Sequence, residues 1–512
     1  MSRRRQWSFL ALVIVLAQLW GHAASHRPGG LILDDWSNYH AAKAFSSPSA
    51  LLVQTLSHGT RPVSMTTTWL AFRFLGDHIQ AYFALSVVAQ MVLLLLVVAI
   101  ARQLGASLAA TFLAGLFIAV LPTVSELYFW PTMILSSTAF AMPLYLGSAA
   151  TWLAYARTRR PAWLVLSLAG YALGVFSYEI GLFLPLAYVC TPCRDSFRKQ
   201  AVRSLAFVPV LLLYAIWRLT DAFGHGHTYL PPHMRGGISL LELFWNAKEF
   251  VRWWIGHYMG TSILNGWRGF ISLPAATQGI LLAGNLVIAG LAGWVLLALS
   301  QVDEPRNNRR SLAAWGTLWL IGSFLPLVIS YSTSRLLYLP GCGVAWLLAS
   351  LYLPRFRKAL AAPLMLATAL LLTANQGTAR QWQESGRRQQ RLYDYVCASR
   401  ARWQDKEIVL FDTHSLSASG PTGKLVPRSQ FHAPFYYGNA GYLRGFAPSA
   451  MLDLAGRHGS RPLSVLDAEH WAMVRDEELI WHGRYDLAIT NVTPLNQVYI
   501  IDVYLAAQAP PP

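Results

Sequence analysis

Between positions 7 and 374 the chain repeats one pattern. An apolar run without Asp, Glu, Lys or Arg is followed by a polar loop, over residues 7–23, 79–101, 105–121, 132–156, 162–177, 180–190, 204–217, 279–300, 312–330, 336–353 and 360–374. Few folds accept such a chain. About 20 apolar residues are needed to cross the hydrocarbon as a helix, and backbone groups in lipid must be satisfied within the segment. The run 180–190 is short for a span and calls for buried neighbours. Only 13% of residues are charged, against about 25% in an ordinary soluble domain, so lipid is the solvent the composition fits.

Charge sets the orientation. Basic clusters follow alternate runs: Arg102, then Arg157, Arg159 and Arg160, then Arg194, Arg198, Lys199 and Arg203, then Arg306, Arg309 and Arg310, then Arg355, Arg357 and Lys358. This is the positive-inside pattern. It accounts for the net charge of +17 through topology and anionic lipid, with no nucleic acid as partner. Arg3, Arg4 and Arg5 keep the N-terminus cytoplasmic, and the first run reads as an uncleaved anchor. The pattern thus predicts a polytopic α-helical membrane protein of about eleven spans, residues 1–374, in a lipid bilayer. Two large outer loops interrupt it, at 24–78 and 219–278. In the first, Ser47 to Leu56 and Ser64 to Leu75 read as short amphipathic helices at the interface. The second carries His225, His227, His233, Trp253, Trp254 and His257.

From Asn375 the composition changes. Residues 381–402 are polar and helix-like. Glu407 to Asp412 and Tyr485 to Thr490 read as strands. We expect a small α/β or mixed soluble domain over 375–512, on the outer (periplasmic) side. Of four cysteines, only Cys397 lies there, so it has no internal disulfide. Cys190-Thr-Pro-Cys193 is formally a C-x-x-C, but it lacks a second pair and a βαβ context.

Chemistry concentrates at the outer ends of the runs. Leu31-Ile-Leu-Asp34-Asp35-Trp36 sets two adjacent carboxylates just after the first span. At that depth they are either a solvated helix end, or a base or cation anchor facing a cavity. Glu126 lies in the loop Leu121-Pro-Thr-Val-Ser-Glu126, and Glu179 in the tight turn Ser177-Tyr178-Glu179. Arg61, in His58-Gly-Thr-Arg61-Pro62, and Arg335, in Arg335-Leu-Leu-Tyr338-Leu-Pro340, are either snorkelling cations or rigid forks for phosphate oxygens. The histidines of the second loop lack acidic or Cys partners and read as loop histidines, with no zinc site. The chain contains no P-loop, no G-x-G-x-x-G after a strand and no G-x-S-x-G.

Taken in order, these residues resemble the GT-C superfamily of membrane glycosyltransferases. The closest likeness is to bacterial relatives of the TMTC-type, or protein O-mannosyltransferase-type, enzymes. An acidic pair in the first outer loop and Arg61-Pro62 before the second span carry the resemblance. Pro122 and Glu126 match a His-Pro-x-x-x-Glu segment without its His. Tyr178-Glu179 keeps the Glu of a Lys-Glu turn, and Arg335-Leu-Leu-Tyr338-Leu-Pro340 matches an Arg-x-x-Tyr-Leu-Pro segment without its leading Glu. The likeness covers about residues 1–350. The tail lacks the tetratricopeptide repeats of eukaryotic members.

The resemblance implies transfer of a sugar from a polyprenyl-phosphate carrier to a glycan, lipid or protein acceptor at the outer membrane face. It implies catalytic roles for Asp34 and Asp35, with Asp34 as base, and substrate binding by Arg61, Glu126, Tyr178, Glu179, Arg335 and Tyr338. Some members use a divalent metal, Mg or Mn, at such carboxylates and others use none. The bacterial inner membrane is the expected location. Two other readings fit the same pattern: a transporter or flippase of lipid-linked glycan, and a catalytically degenerate relative. Against the transporter, the chain has no internal repeat and its acids avoid mid-span positions.

Overall fold

A computed structural model describes residues 3–23, 30–31, 34–44, 47–58, 61–121, 126–192, 196–225, 240–256, 260, 262–299, 309–329, 337–406 and, of the C-terminal part, 408–412, 414–415, 426–427, 451–456, 463–466, 471–475, 477–482, 490–502 and 506. The protein is α-helical. Among the described residues, five helical stretches are long and apolar enough to cross a membrane: Ile79–Gln103, Pro131–Thr158, Phe197–Arg218, Ala275–Leu299 and Pro354–Ala398. Trp7–His22, Leu108–Val120, Pro161–Ser177, Glu179–Tyr188 and Tyr338–Leu351 are shorter apolar helices.

In chain order, α1 is Arg3–Ala23, followed by α2 (Asp34–Ala44), α3 (Pro48–His58) and α4 (Pro62–Leu75). Then come α5 (Ile79–Gln103), α6 (Leu108–Val120) and α7 (Glu126–Phe129). A single rod follows, made of α8 (Pro131–Met133), a π-helical segment (Ile134–Ala141) and α9 (Met142–Thr158). The rod leads to α10 (Pro161–Ser177), α11 (Pro185–Tyr188), α12 (Phe197–Ser204), α13 (Val208–His225), α14 (Leu240–Gly256) and α15 (Ser262–Ile271). The last helices are α16 (Ala275–Leu299), α17 (Arg309–Phe324), α18 (Tyr338–Leu351), α19 (Arg357–Ala398) and α20 (Arg400–Trp403).

Local chemistry places these boundaries. Ser107 caps α6, its Oγ accepting from the Ala110 N–H at 3.2 Å, the standard use of a short hydroxyl at a helix start. Pro62, Pro131 and Pro161 open α4, α8 and α10, where a missing N–H costs nothing. The bundle core is apolar and aromatic, with Trp152, Trp315, Trp319 and Trp346 all buried.

The structure differs from the sequence reading in three places. The acidic pair opens a helix of its own, α2, where the sequence reading placed no helix. Its sequence, Asp-Asp-Trp-Ser-Asn-Tyr-His-Ala-Ala-Lys-Ala, has no apolar stripe to announce it, although acids in a first turn suit the helix dipole. The segment read as a second large loop, 219–278, contains α14 and α15. And the last apolar run and the polar helix after it are one rod, α19, of 42 residues. At 1.5 Å per residue that is about 63 Å, twice the hydrocarbon thickness. We call its C-terminal part, from about residue 380, the stalk.

Beyond α20 lie short strands. β1 (Ile408–Asp412) is central in a parallel three-stranded sheet, between β4 (Leu463–Leu466) and β8 (Val498–Asp502). In register, Asp412 stands beside Leu466 and Asp502. β2 (His414–Ser415) pairs with β3 (Val426–Pro427), and β5 (Trp471–Arg475), β6 (Glu478–His482) and β7 (Thr490–Pro494) form an antiparallel meander. The strand expected over 407–412 is β1. The one expected over 485–490 lies outside the described residues save for Thr490, which starts β7. A second core joins this sheet to the helices: Leu31, Trp36, Leu51, Trp69, Phe72 and Tyr82 pack with Leu392, Val396, Trp403, Val409 and Ile501.

Candidate functional site

Two polar constellations are built from segments far apart in sequence. The first starts at α2. Asp35, its second residue, is fully buried. Its Oδ1 accepts from the Thr132 N–H at 2.8 Å and from Thr132 Oγ1 at 2.6 Å. Thr132 is the second residue of α8, where backbone N–H groups lack a partner within the helix and where the dipole favours an anion. Asp35 therefore acts as a cap supplied from another part of the chain. One turn later, Asn38 Nδ2 donates to Thr132 Oγ1 at 3.0 Å, and Asn38 Oδ1 accepts from Trp69 Nε1 at 3.0 Å. The π segment begins two residues after Thr132. Such wide turns cluster at functional sites.

The second constellation joins the start of α4 to the turn after α10. Arg61 Nε donates to Glu179 Oε2 at 2.8 Å, and Nη2 donates to Oε1 at 2.7 Å. This is the two-pronged geometry that only a guanidinium provides. The Arg61 Cζ also lies 4.1 Å from the centroid of the Tyr178 ring, within cation–π range. The Tyr178 carbonyl in turn accepts from the Tyr145 hydroxyl at 2.6 Å. Gly181 lets the turn close down on Tyr145, because a Cβ there would strike that ring.

Arg61 and Glu179 keep about a quarter of their side-chain surface exposed, 23% and 27%. Burial pushes the Glu179 carboxyl up, but the charge and hydrogen bonds of Arg61, with Arg218 adding to them, hold it below its ordinary value. The carboxylate stays charged and Arg61 stays engaged. α4 links the two constellations, packing against α2, α10 and the π segment.

The structure thus brings Arg61, Tyr178 and Glu179 together and commits Asp35 to Thr132. Asp34 opens α2 and Glu126 opens α7, but their side chains lie outside the described residues, as does Arg335. Tyr338 opens α18 and is buried in the main core. Of the loop histidines, His227, His233 and His257 lie outside the described residues, as does Cys193 of the C-x-x-C. Among the described residues, no three His, Cys, Asp or Glu side chains gather to hold a metal ion.

Sequence reasoning missed Thr132, Asn38, Trp69, Tyr145 and Arg218. One local signal was available. Pro131-Thr132 at the head of an apolar run is a helix start that needs an acceptor, and nothing nearby in sequence supplies one.

No known protein family matches the chain, and no curated protein matches it.

Proposed function

We propose that the protein is a GT-C-type glycosyltransferase of about eleven spans, with its N-terminus cytoplasmic and residues 375–512 forming a periplasmic domain on a bacterial inner membrane. The observation that supports it most is the two-pronged Arg61–Glu179 pair over Tyr178, linked through α4 to the helix that carries the acidic pair. A sugar moved from a polyprenyl phosphate needs a base for the acceptor hydroxyl and a cation for the leaving phosphate. In this reading the hydroxyl oxygen of a glycan, lipid or protein acceptor attacks the anomeric carbon. Its proton passes to Asp34, the carbon–oxygen bond to the carrier breaks with inversion, and Arg61 stabilises the departing phosphate. Asp35, held by Thr132, sets the register of α2, so the two carboxylates have separate duties.

The test is transfer of radiolabelled sugar from a panel of polyprenyl-phosphate donors, in membranes carrying wild type or Asp34→Asn at equal expression. The reading expects transfer by wild type and a loss of at least about a hundredfold in the variant. Equal transfer by both would remove Asp34 from the mechanism, and no transfer from any donor would favour a flippase or a degenerate relative. Running the assay with and without EDTA decides whether Mg or Mn takes part.

A further inference from the structure

The residues on either side of the Asp34–Asp35 peptide's end differ in what holds them. Asp35 is tied to the bundle through Thr132. Trp36, the next residue, faces a different body. Its ring is 2% exposed and lies against the Tyr393 ring, with centroids 4.6 Å apart and planes 35° from parallel. Tyr393 is on the stalk of α19, about 28 Å beyond the end of the last apolar run by helical rise. Around this pair the core contains Leu392 and Val396 of the stalk, Trp403 of α20, Val409 of β1 and Ile501 of β8. Tyr395 and Tyr499 join the stalk to β8 by a hydroxyl–hydroxyl bond of 3.4 Å. Just before α2, Gly30 takes a left-handed conformation, φ +148°, and passes so close to α19 that a Cβ would strike the Gly386 carbonyl.

From this juxtaposition we infer that the stalk and the C-terminal sheet hold the acidic helix in place, with Trp36 as the positioning residue that couples them to Asp34. The inference rests on the transferase reading for its catalytic consequence, but not for its structural one. α2 is short, polar and without an apolar stripe, so by itself it has little reason to be helical or fixed. What fixes it are two latches on consecutive residues, one to the bundle and one to the stalk. If only the bundle latch mattered, the C-terminal strands would be a separate appendage. Because Val409 and Ile501 share one core with Trp36 and Trp69, the strands instead form the outer wall of the acidic helix's seat. An acceptor that presses on the C-terminal sheet therefore has a mechanical route to Asp34.

The experiment uses the full chain in lipid nanodiscs, with two readouts. In hydrogen exchange, Trp36→Ala should speed exchange of the α2 amides by about tenfold or more, while α5 and α9 stay within twofold of wild type. Trp36→Phe, which keeps a ring on Tyr393, should restore wild-type exchange. Ile501→Ala, remote in sequence and on the sheet, should loosen α2 in the same direction to a smaller degree. In the transfer assay, Trp36→Ala should lower kcat with KM within about twofold, because geometry at the base is lost and donor binding is not. Unchanged α2 exchange in both Trp36→Ala and Ile501→Ala would overturn the coupling, as would faster exchange spread evenly over α5 and α9. If wild type transfers no sugar at all, the transferase reading fails while the exchange result still decides whether the sheet holds α2.

Discussion

The bundle contains two kinds of polar group joining its helices, and they sit in different surroundings. Where α1, α16 and α19 meet, the groups are neutral. Asn285 Oδ1 accepts from Trp20 Nε1 and from Gln376 Nε2, both at 2.9 Å, and Asn285 Nδ2 donates to Gln376 Oε1 at 3.0 Å and to Thr373 Oγ1 at 2.9 Å. That is four bonds on one amide, its full capacity. At the ends of α2, α4 and α10 the groups are charged: Asp35, Arg61 and Glu179. Their bonds are as short, but the Arg61–Glu179 pair keeps a quarter of its surface open. A saturated neutral amide has nothing left to offer a ligand and serves as glue between helices. A charged pair at a helix end, partly open, is the group that the transferase reading proposed above has meet the carrier phosphate. The difference is one of access: the amide is enclosed by its neighbours, whereas the Arg61–Glu179 pair stays partly open.

This comparison can be broken in several ways. The largest effect is expected at the neutral junction's edge. Gly377 lets α19 cross α15 with backbones nearly touching, and a Cβ at Gly377 would collide with the Gly266 carbonyl. Neither backbone can give way, so Gly377→Val should cost about 3 kcal/mol or more. Thermal unfolding in detergent reads this as a much lower midpoint or as lost folded yield, and a wild-type midpoint would show that the helices part without cost. Next comes Arg61→Ala, which should lower sugar transfer by about a hundred- to a thousandfold with little change in the unfolding midpoint, since the pair is partly solvated. Smaller still is Asn285→Leu, expected to cost about 1 kcal/mol and to leave transfer per folded molecule within about twofold.

The smallest effect concerns pH. The Glu179 carboxyl is held below its ordinary value in the folded protein, so it binds protons less readily there than in the unfolded chain. Its contribution to stability is complete above the ordinary carboxylate range and declines as pH falls through the lowered value. Between those limits the wild type should resist acid better than Glu179→Gln, whose unfolding midpoint should show no step from this site. Parallel acid curves for the two proteins would contradict the assignment.

Much of this was legible in the sequence, and the gaps have physical reasons. Apolar runs free of charge announced the helices, because in lipid the backbone leaves no alternative. That Arg61, Glu179 and Asp35 fall at or next to the ends of helices followed from their places between the apolar runs. What the sequence could not show was pairing. Arg61 and Glu179 are 118 positions apart, and Asp35 and Thr132 are 97 apart. Nothing in a local window distinguishes an arginine that snorkels from one that grips a carboxylate. α2 was invisible for another reason: its stability comes from Thr132 and Tyr393, residues on other elements, and not from its own periodicity. The continuity of α19 was missed because hydropathy falls sharply at Asn375 while helix propensity does not. A polar continuation looks like a boundary when only hydropathy is followed.

The central claim is that the partly open charged pair at the helix ends serves chemistry while the saturated buried amide serves assembly. The most direct measurement compares Arg61→Lys with Asn285→Leu, each assayed for sugar transfer per folded molecule in nanodiscs. Lysine keeps the charge but loses the fork, so the account predicts at least a roughly tenfold loss for Arg61→Lys and about twofold or less for Asn285→Leu. Equal losses in the two variants, or full activity in Arg61→Lys, would contradict it.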